Sequence, residues 1–253
     1  MKGMIIKMKI YTLGTSHGGT EVGRSCSGNL LEVNGDYYLF DCGGDIERIM
    51  KDMDLPIGKI KAVFVSHMHG DHVTNLPAIA KCFTCGYSRM DTTLRIYLPD
   101  ADGLSAFKAW IKVMEMNPEH EKLIMDTFTE GEIYSDKNVK ISAIRTEHLC
   151  GGKKPSFAFT VGSSDGKRFL YTGDLNCDFH DYPKVAFEKD FDLILSELVH
   201  FSIEKNLDTI IKSRTKRIIF THLHPRNIPV IESVRSQFPF DFSVADDGMC
   251  FEF

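Results

Sequence analysis

The sequence has no apolar run of the about 20 residues that a membrane-spanning helix needs. It has no excess of basic residues either: the formal net charge is −5, so no global positive field attracts nucleic acid. The first residues alternate apolar side chains with lysines and lack the apolar segment of a signal peptide. We therefore expect a cytoplasmic protein that has no membrane partner.

Cysteine is too sparse, and odd in number, for a disulfide framework. The seven cysteines of this 253-residue chain fit a reducing compartment, because a chain of this length can build a core without covalent cross-links. No linker, low-complexity tract or short repeat divides the sequence. A single domain over residues 1–253 is therefore the simplest organisation.

Short apolar runs separated by turn residues predict alternating strands and helices. Asn34-Gly35 lies between two apolar runs and is typical of a two-residue β-hairpin turn. Residues 60–66 predict a buried strand, and residues 72–86 predict a helix despite Pro77. Strands come first along the chain and mixed strands and helices follow, which fits two packed sheets with helices outside them.

Acidic or imidazole residues follow the ends of several short buried strands. They are Asp41, His67, His148, Asp174 and His222. Strand ends that share one edge of a sheet are places where sites form, because the strands fix the geometry and the loops give access. Neutral imidazoles and carboxylates are also the ligands that zinc or manganese take in open sites.

The densest group of such residues is the stretch SHMHGDH, residues 66–72. Side chains two apart on an extended segment point to the same side, and Gly70 permits a tight turn before the next two ligand-type residues. One short turn can therefore serve two ions, through the pairs His67 with His69 and Asp71 with His72. Without a metal, so many partly cationic imidazoles would repel each other. Asp41 is a candidate to hold one imidazole in a single tautomer.

These motifs resemble those of the metallo-β-lactamase superfamily. SHMHGDH is similar to its metal-binding signature, and YYLFDCG resembles the motif before it. His148, Asp174 and His222 match the later motifs in the family's order, over roughly residues 9–225. The resemblance implies a mixed α/β (α+β) protein with a four-layer αββα sandwich. It also implies two divalent metal ions, with zinc expected and manganese or iron left open, because these ligands serve all three metals.

The resemblance assigns a role to each ligand-type residue. The first metal would be held by His67, His69 and His148, and the second by Asp71, His72 and His222, with Asp174 bridging and Asp41 supporting from outside. Two ions about 3.5–4 Å apart can share a hydroxide as nucleophile, because metal binding lowers the pKa of water to about 7. Asp71, as an expected ligand of an ion that would activate this hydroxide, is counted among the catalytic residues.

Within the superfamily, the sequence looks closest to the tRNase Z and cyclic phosphodiesterase branch. DLILSELVHFS resembles that branch's H-E-A-T box imperfectly. Ser196 stands where the box has its catalytic His, Glu197 matches its Glu, and His200 lies just beyond. Glu197 and His200 are therefore candidates for delivering a proton to the leaving oxygen, a role typically worth about 10²–10⁴-fold in rate.

Substrate size can be inferred from one spacing. Asp174 lies 26 positions after His148, which leaves no room there for the long arm with which typical tRNase Z grips tRNA. We therefore favour a small-molecule or nucleotide phosphodiester as substrate: a cyclic nucleotide, a cyclic sugar phosphate or an RNA end. His224 and Lys153 are candidates for contacts with this substrate.

The alternatives to a phosphodiesterase are hydrolysis of a lactone, thioester or β-lactam at the same site, or a non-catalytic metal-binding scaffold. A homodimer, common among similar proteins, is left open.

Overall fold

The structure is a computed structural model that describes residues 7–85 and 92–253. By its internal packing the chain divides into two compact units. The first unit comprises Lys7–Thr129 with Asp247–Glu252, and the second comprises Glu130–Asp246 with Phe253. Each unit carries one seven-stranded sheet. That residues 1–253 act as a single domain stays a prediction.

The first unit combines an antiparallel part and a parallel part in one sheet. Its strands are β1 (Met8–Gly14), β2 (Gly28–Val33), β3 (Asp36–Phe40), β4 (Ile60–Phe64), β5 (Leu94–Leu98), β6 (Leu123–Thr127) and a last strand, β14 (Met249–Glu252). Their order is β14-β1-β2-β3-β4-β5-β6. The pairs from β14 to β3 are antiparallel, and those from β3 to β6 are parallel.

Within the described residues, four helices accompany this sheet: α1 (Ile46–Asp52), α2 (Gly70–Val73), α3 (Leu76–Thr84) and α4 (Ala101–Val113). Their apolar side chains, such as Ile49, Ile79 and Phe107, join strand residues such as Leu39 and Val63 in one buried cluster. Each fully buried aliphatic side chain contributes roughly 1.5–3 kcal/mol. The central strands are buried along their length, which explains their continuous apolar runs.

The second unit repeats this plan. Its strands are β7 (Gly131–Ser135), β8 (Val139–Thr146), β9 (Ser156–Ser163), β10 (Arg168–Tyr171), β11 (Leu193–Glu197), β12 (Arg217–Thr221) and β13 (Asp241–Val244), in the order β13-β12-β11-β10-β9-β8-β7. The pairs from β7 to β10 are antiparallel, and those from β10 to β13 are parallel. The helices are α5 (Val185–Glu188), α6 (Ile203–Ile210) and α7 (Ile228–Ser233).

Local predictions hold in part. Asn34 and Gly35 both have positive φ, 53° and 79°, as a two-residue hairpin turn requires. The helix predicted over residues 72–86 is instead the pair α2 and α3; its final residue lies outside the described residues. Pro77 is in the first turn of α3, where its missing N–H breaks no helical hydrogen bond. Among the described residues, no helix is long and apolar enough to cross a bilayer.

Parallel pairing brings the strand-end residues of each unit to one edge. In the first unit, Phe40 of β3 is in register with Phe64 of β4, so the residues after both strands are neighbours. In the second unit, the parallel strands β10, β11 and β12 likewise end side by side. Candidate site residues such as Asp41, Asp174 and Glu197 close these strands or lie shortly after their ends, at the carboxyl edge where open α/β sheets bind ligands.

Candidate metal centre

In the first unit, the ends of β3 and β4 are joined by one buried carboxylate. Asp41 follows β3 with a left-handed φ of 59° and is fully buried. Its Oδ1 accepts the backbone N–H of Ser66 at 2.7 Å, and its Oδ2 accepts the Ser66 hydroxyl at 2.8 Å. The carboxylate is therefore aimed at the start of the SHMHGDH turn.

The same carboxylate orients two imidazoles. Nδ1 of His72 lies 2.8 Å from Asp41 Oδ2, and Nδ1 of His67 lies 3.0 Å from Ser66 Oγ. Because the Ser66 hydroxyl donates to Asp41, its oxygen accepts a hydrogen bond from the Nδ1–H of His67. Both Nδ1 atoms thus carry the proton, and each Nε2 carries the lone pair that binds a metal. The sequence interpretation assigned no role to Ser66, although Ser66 is the first residue of the motif.

The remaining ligand-type groups crowd around these rings. The ring centroid of His67 lies 4.6 Å from that of His69 and 4.1 Å from that of His72. His72 Nε2 lies 3.2 Å from Asp71 Oδ2. With the proton on Nδ1, this nitrogen and this oxygen both present lone pairs, which a cation would hold together. The donor set therefore fits a divalent metal.

A glycine lets the neighbouring loop support this turn. A Cβ at Gly43 would lie 1.6 Å from the carbonyl oxygen of Asp71, so only glycine allows this approach. Cys42 N–H donates to the His72 carbonyl at 2.8 Å, and Asn75 N–H donates to the Cys42 carbonyl at 2.9 Å. The turn expected at Gly70 is the start of α2, which follows an extended His69.

In the second unit, three imidazoles surround one carboxylate oxygen. Asp174 Oδ2 lies 3.3 Å from Nε2 of His222, 3.7 Å from Nε2 of His148 and 3.8 Å from Nδ1 of His200. Asp174 is almost fully buried. Nδ1 of His148 lies 3.1 Å from the Leu175 carbonyl, to which it donates, so its Nε2 carries the lone pair. This cluster fits a metal for the same reason as the first.

Glu197 organises the side of this cluster that includes His200. Its Oε1 accepts Leu175 N–H at 2.8 Å, and its Oε2 accepts the N–H groups of Val199 and His200 at 2.9 and 3.0 Å. Nδ1 of His200 lies 3.0 Å from both carboxylate oxygens. The His200 side chain is 31% exposed, so its ring remains accessible while its orientation is fixed.

A family model identifies the protein family of this chain. The model of the anti-Pycsar protein Apyc1 matches residues 8–238. The chain belongs to the Apyc1 family. Its matched region contains every residue of both clusters.

Curated proteins also resemble this Apyc1-family chain over part of its length. Ribonuclease Z of Halalkalibacterium halodurans is 26% identical over 164 residues, which are 62% of this chain and 50% of that protein. The chain thus spans about half the length of the curated relatives it matches.

Solved structures share the fold. The metallo-β-lactamase fold protein YhfI from Bacillus subtilis has a TM-score of 0.78 at 19% identity, covering 98% of this chain and 100% of its own. The short form of human tRNase Z has a TM-score of 0.74 at 20% identity, covering 96% and 98%. These structures confirm the predicted fold class. Taken with the ribonuclease Z relatives, they support the predicted superfamily and its tRNase Z-like branch.

Three further residues of this Apyc1-family chain were singled out by the sequence. Ser196, at the position of the H-E-A-T histidine, is buried and donates to the Glu197 carbonyl at 3.1 Å. His224 Nδ1 accepts Arg226 N–H at 3.1 Å and caps the turn that follows, while its ring is half-buried. Lys153 lies exposed on the loop after His148. Substrate contacts by His224 and Lys153 stay predictions.

The thiols nearest the first cluster are poor metal ligands. Burial raises the pKa of Cys42 well above its ordinary value. Burial, together with the Asp71 carboxylate, raises the pKa of Cys26. Both thiols are therefore protonated at neutral pH, and metals bind the thiolate form. The donors that this Apyc1-family site offers are imidazole nitrogens and carboxylate oxygens.

Proposed function

We propose that this chain is a metal-dependent phosphodiesterase whose two clusters supply the ligands of two divalent ions. The proposed ligands are His67, His69, Asp71 and His72 from the first cluster and His148, Asp174 and His222 from the second. Zinc is the proposed metal, because a set of five neutral imidazoles with two carboxylates suits a borderline ion better than a hard one. When bound, two such ions lower the pKa of water to about 7 and offset charge that develops in the transition state.

The observation that carries this proposal is the pairing of His200 with Glu197. A phosphodiester of a ribose or other sugar expels an alkoxide, which leaves poorly unless it receives a proton. Glu197 holds Nδ1 of His200 at 3.0 Å, so Nε2 is the atom that can carry a proton toward the leaving oxygen.

Asp41 and Asp174 have supporting roles in this reaction. Asp41 keeps His72 in its metal-binding tautomer through the 2.8 Å contact with Nδ1. Asp174 Oδ2 lies among three imidazoles, so its negative charge would offset the positive charge of an ion held there. Asp71 presents its carboxylate beside His72 as both ligand and catalytic group.

A small phosphodiester is the proposed substrate class. Between His148 and Asp174 the chain forms only a short turn and the β9–β10 hairpin, whose loop spans residues 164–167. A cyclic nucleotide, a cyclic sugar phosphate or an RNA end needs no long arm at this place. His224 and Lys153 are proposed to contact this substrate.

We also propose a cytoplasmic location, because the six cysteines whose side chains are described are free thiols.

A substrate panel tests the proposal. Purified protein would be assayed with bis(p-nitrophenyl) phosphate, cyclic nucleotides, a lactone and a thioester, before and after chelation and after return of zinc or manganese. We expect phosphodiester hydrolysis that chelation abolishes and metal restores. Asp174→Asn should abolish it, whereas Asp190→Asn, at an exposed aspartate paired with Arg214, should not. Turnover of the lactone or thioester alone would contradict the proposal, and metal binding without any turnover would favour a scaffold.

A further inference from the structure

Two proposed ligands of the second cluster lie closer together than the sheet alone would bring them. β9 lies between β8 and β10, so the strands that precede His148 and Asp174 are two strand spacings apart, about 10 Å. His148 Nε2 is nevertheless 3.7 Å from Asp174 Oδ2. The segments that follow the two strands must supply this approach.

Asp181 and Asn176 join these two segments through the backbone. Asp181 Oδ2 accepts the N–H of Glu147 at 2.7 Å, and its two oxygens accept the N–H of Asn176 at 2.9 and 3.1 Å. The Asn176 side-chain amide donates to the Glu147 carbonyl at 3.0 Å. Both peptide groups of Glu147, the residue before His148, are therefore bound to the loop that follows Asp174.

The same loop also sets the orientation of the imidazole. His148 Nδ1 donates to the carbonyl of Leu175, and Leu175 N–H is bound by Glu197 Oε1 at 2.8 Å. The Leu175 side chain is fully buried, which fixes this peptide in the core. The backbone just before His148 and the His148 ring are thus both held by the loop that follows β10, and that loop contains Asp174.

An outer contact strengthens the arrangement. His180 Nε2 lies 3.0 Å from the Glu147 carboxylate, and its Nδ1 contacts Asp178. These groups are about half exposed, so their interaction is screened by solvent. The half-buried Asp181 carries the larger share, because it binds two backbone donors on two segments at once.

We propose that Asp181, assisted by Asn176, is a positioning residue for the metal centre. Its carboxylate acts through the Glu147 backbone to hold the His148 imidazole against Asp174, so that both present their donor atoms to one ion. This rests on the proposed function only in assigning His148 and Asp174 as ligands. Loss of an outer partner of a ligand typically weakens metal affinity by about 10–100-fold.

The second unit offers a matched control for Asp181. Asp136 is also half-buried and also accepts two backbone N–H groups, from Asn138 at 2.8 Å and Val139 at 3.0 Å. It lies in the β7–β8 turn, at the opposite end of β8 from His148. Asp136→Ala therefore removes a comparable set of hydrogen bonds without touching the ligand.

The test compares Asp181→Ala, Asn176→Ala and Asp136→Ala with the unchanged protein. Zinc affinity would be measured by competition with a chromophoric chelator, and the site's geometry by the visible absorption of bound cobalt. We expect Asp181→Ala to weaken zinc binding about 10–100-fold and to change the cobalt spectrum. Asn176→Ala should have a smaller effect in the same direction. Asp136→Ala should leave both unchanged, with a loss of thermal stability similar to that of Asp181→Ala.

Asp181→Asn, which keeps one acceptor oxygen, should restore part of the affinity lost in Asp181→Ala. The proposal is overturned if Asp181→Ala binds zinc as the unchanged protein does, or if Asp136→Ala loses affinity equally. If Asp181→Ala does not fold, Asn176→Ala decides by the same measurements. If the unchanged protein hydrolyses no phosphodiester, but Asp181→Ala still loses zinc affinity, the proposed function fails and the positioning role stands.

Discussion

Replacing His200 by asparagine would separate its role as proton donor from its role in holding the loop. Asn can place its side-chain N–H where Nδ1 of His200 now faces Glu197, but it has no group at the position of Nε2. Glu197 keeps its hydrogen bonds to the three backbone N–H groups of Leu175, Val199 and residue 200. The folded state should therefore lose only about 1 kcal/mol.

The size of the catalytic loss depends on the leaving group. For a cyclic nucleotide, whose leaving group is an alkoxide, we expect His200→Asn to lower kcat by about 10²–10⁴-fold, the usual worth of a general acid. This corresponds to about 2.8–5.6 kcal/mol at about 1.4 kcal/mol per tenfold. For bis(p-nitrophenyl) phosphate, whose leaving group is a stable anion, we expect less than about a tenfold loss.

The assay would measure kcat and KM for both substrates, together with zinc content, for the unchanged protein and His200→Asn. A selective loss on the cyclic nucleotide, with full zinc content, is the expected result. An equal loss on both substrates would refute the general-acid role. Loss of zinc would show instead that His200 is a metal ligand, since Asp174, His200 and His222 also form a group able to hold an ion.

Three further predictions follow from local contacts. Gly43→Ala, whose Cβ would lie 1.6 Å from a carbonyl oxygen, should destabilise the fold by about 1–3 kcal/mol or more in thermal unfolding, whereas Gly162→Ala, which has open space, should not. Ser66→Ala should weaken zinc binding about 10–100-fold in chelator competition, and unchanged affinity would contradict its bridging role. Asp178 raises the pKa of His180 to about 9 from 6.5, so the contribution of His180 to stability is complete below pH 6.5 and lost as the pH rises through about 9. An NMR titration of the His180 ring checks this, and a midpoint near 6.5 would contradict it.

Much of the fold could be predicted because its central strands are continuous apolar runs with clear ends. The strand predicted over residues 60–66 is β4, which ends at Phe64, and the Asn34-Gly35 hairpin turn is observed as predicted. β6 and β7 were missed, because their burial is partial and their residues show no clean alternation. The prediction of one helix over residues 72–86 did not include the break at Asn75. The Asn75 N–H is bound by the Cys42 carbonyl of the neighbouring loop, and the apolar spacing of the sequence continues across this interruption.

The site was predictable where one short stretch carries it and unpredictable where distant backbone groups build it. The clustering of the ligand-type residues of SHMHGDH could be predicted from seven adjacent positions, with His67 and His69 expected on one ion and Asp71 and His72 on the other. Ser66 could not be assigned, because a serine beside a ligand is common and its role depends on Asp41, 25 positions away. Asp181 could not be assigned either, because it acts on the N–H of Glu147, 34 positions away, and backbone groups leave no mark in sequence.

In each unit, a buried carboxylate held by backbone N–H groups orients an imidazole of the site. An imidazole binds a metal or transfers a proton reliably only if its other nitrogen is held, and the holding group must itself be fixed. In the first unit Asp41 is fixed by the N–H of Ser66 and holds His72; in the second, Glu197 is fixed by three backbone N–H groups and holds His200. Each carboxylate is buried at the end of a parallel strand, where loop N–H groups compensate its charge. Replacing either by its amide would leave one N–H donor facing another, so the cost should exceed that of a single lost hydrogen bond.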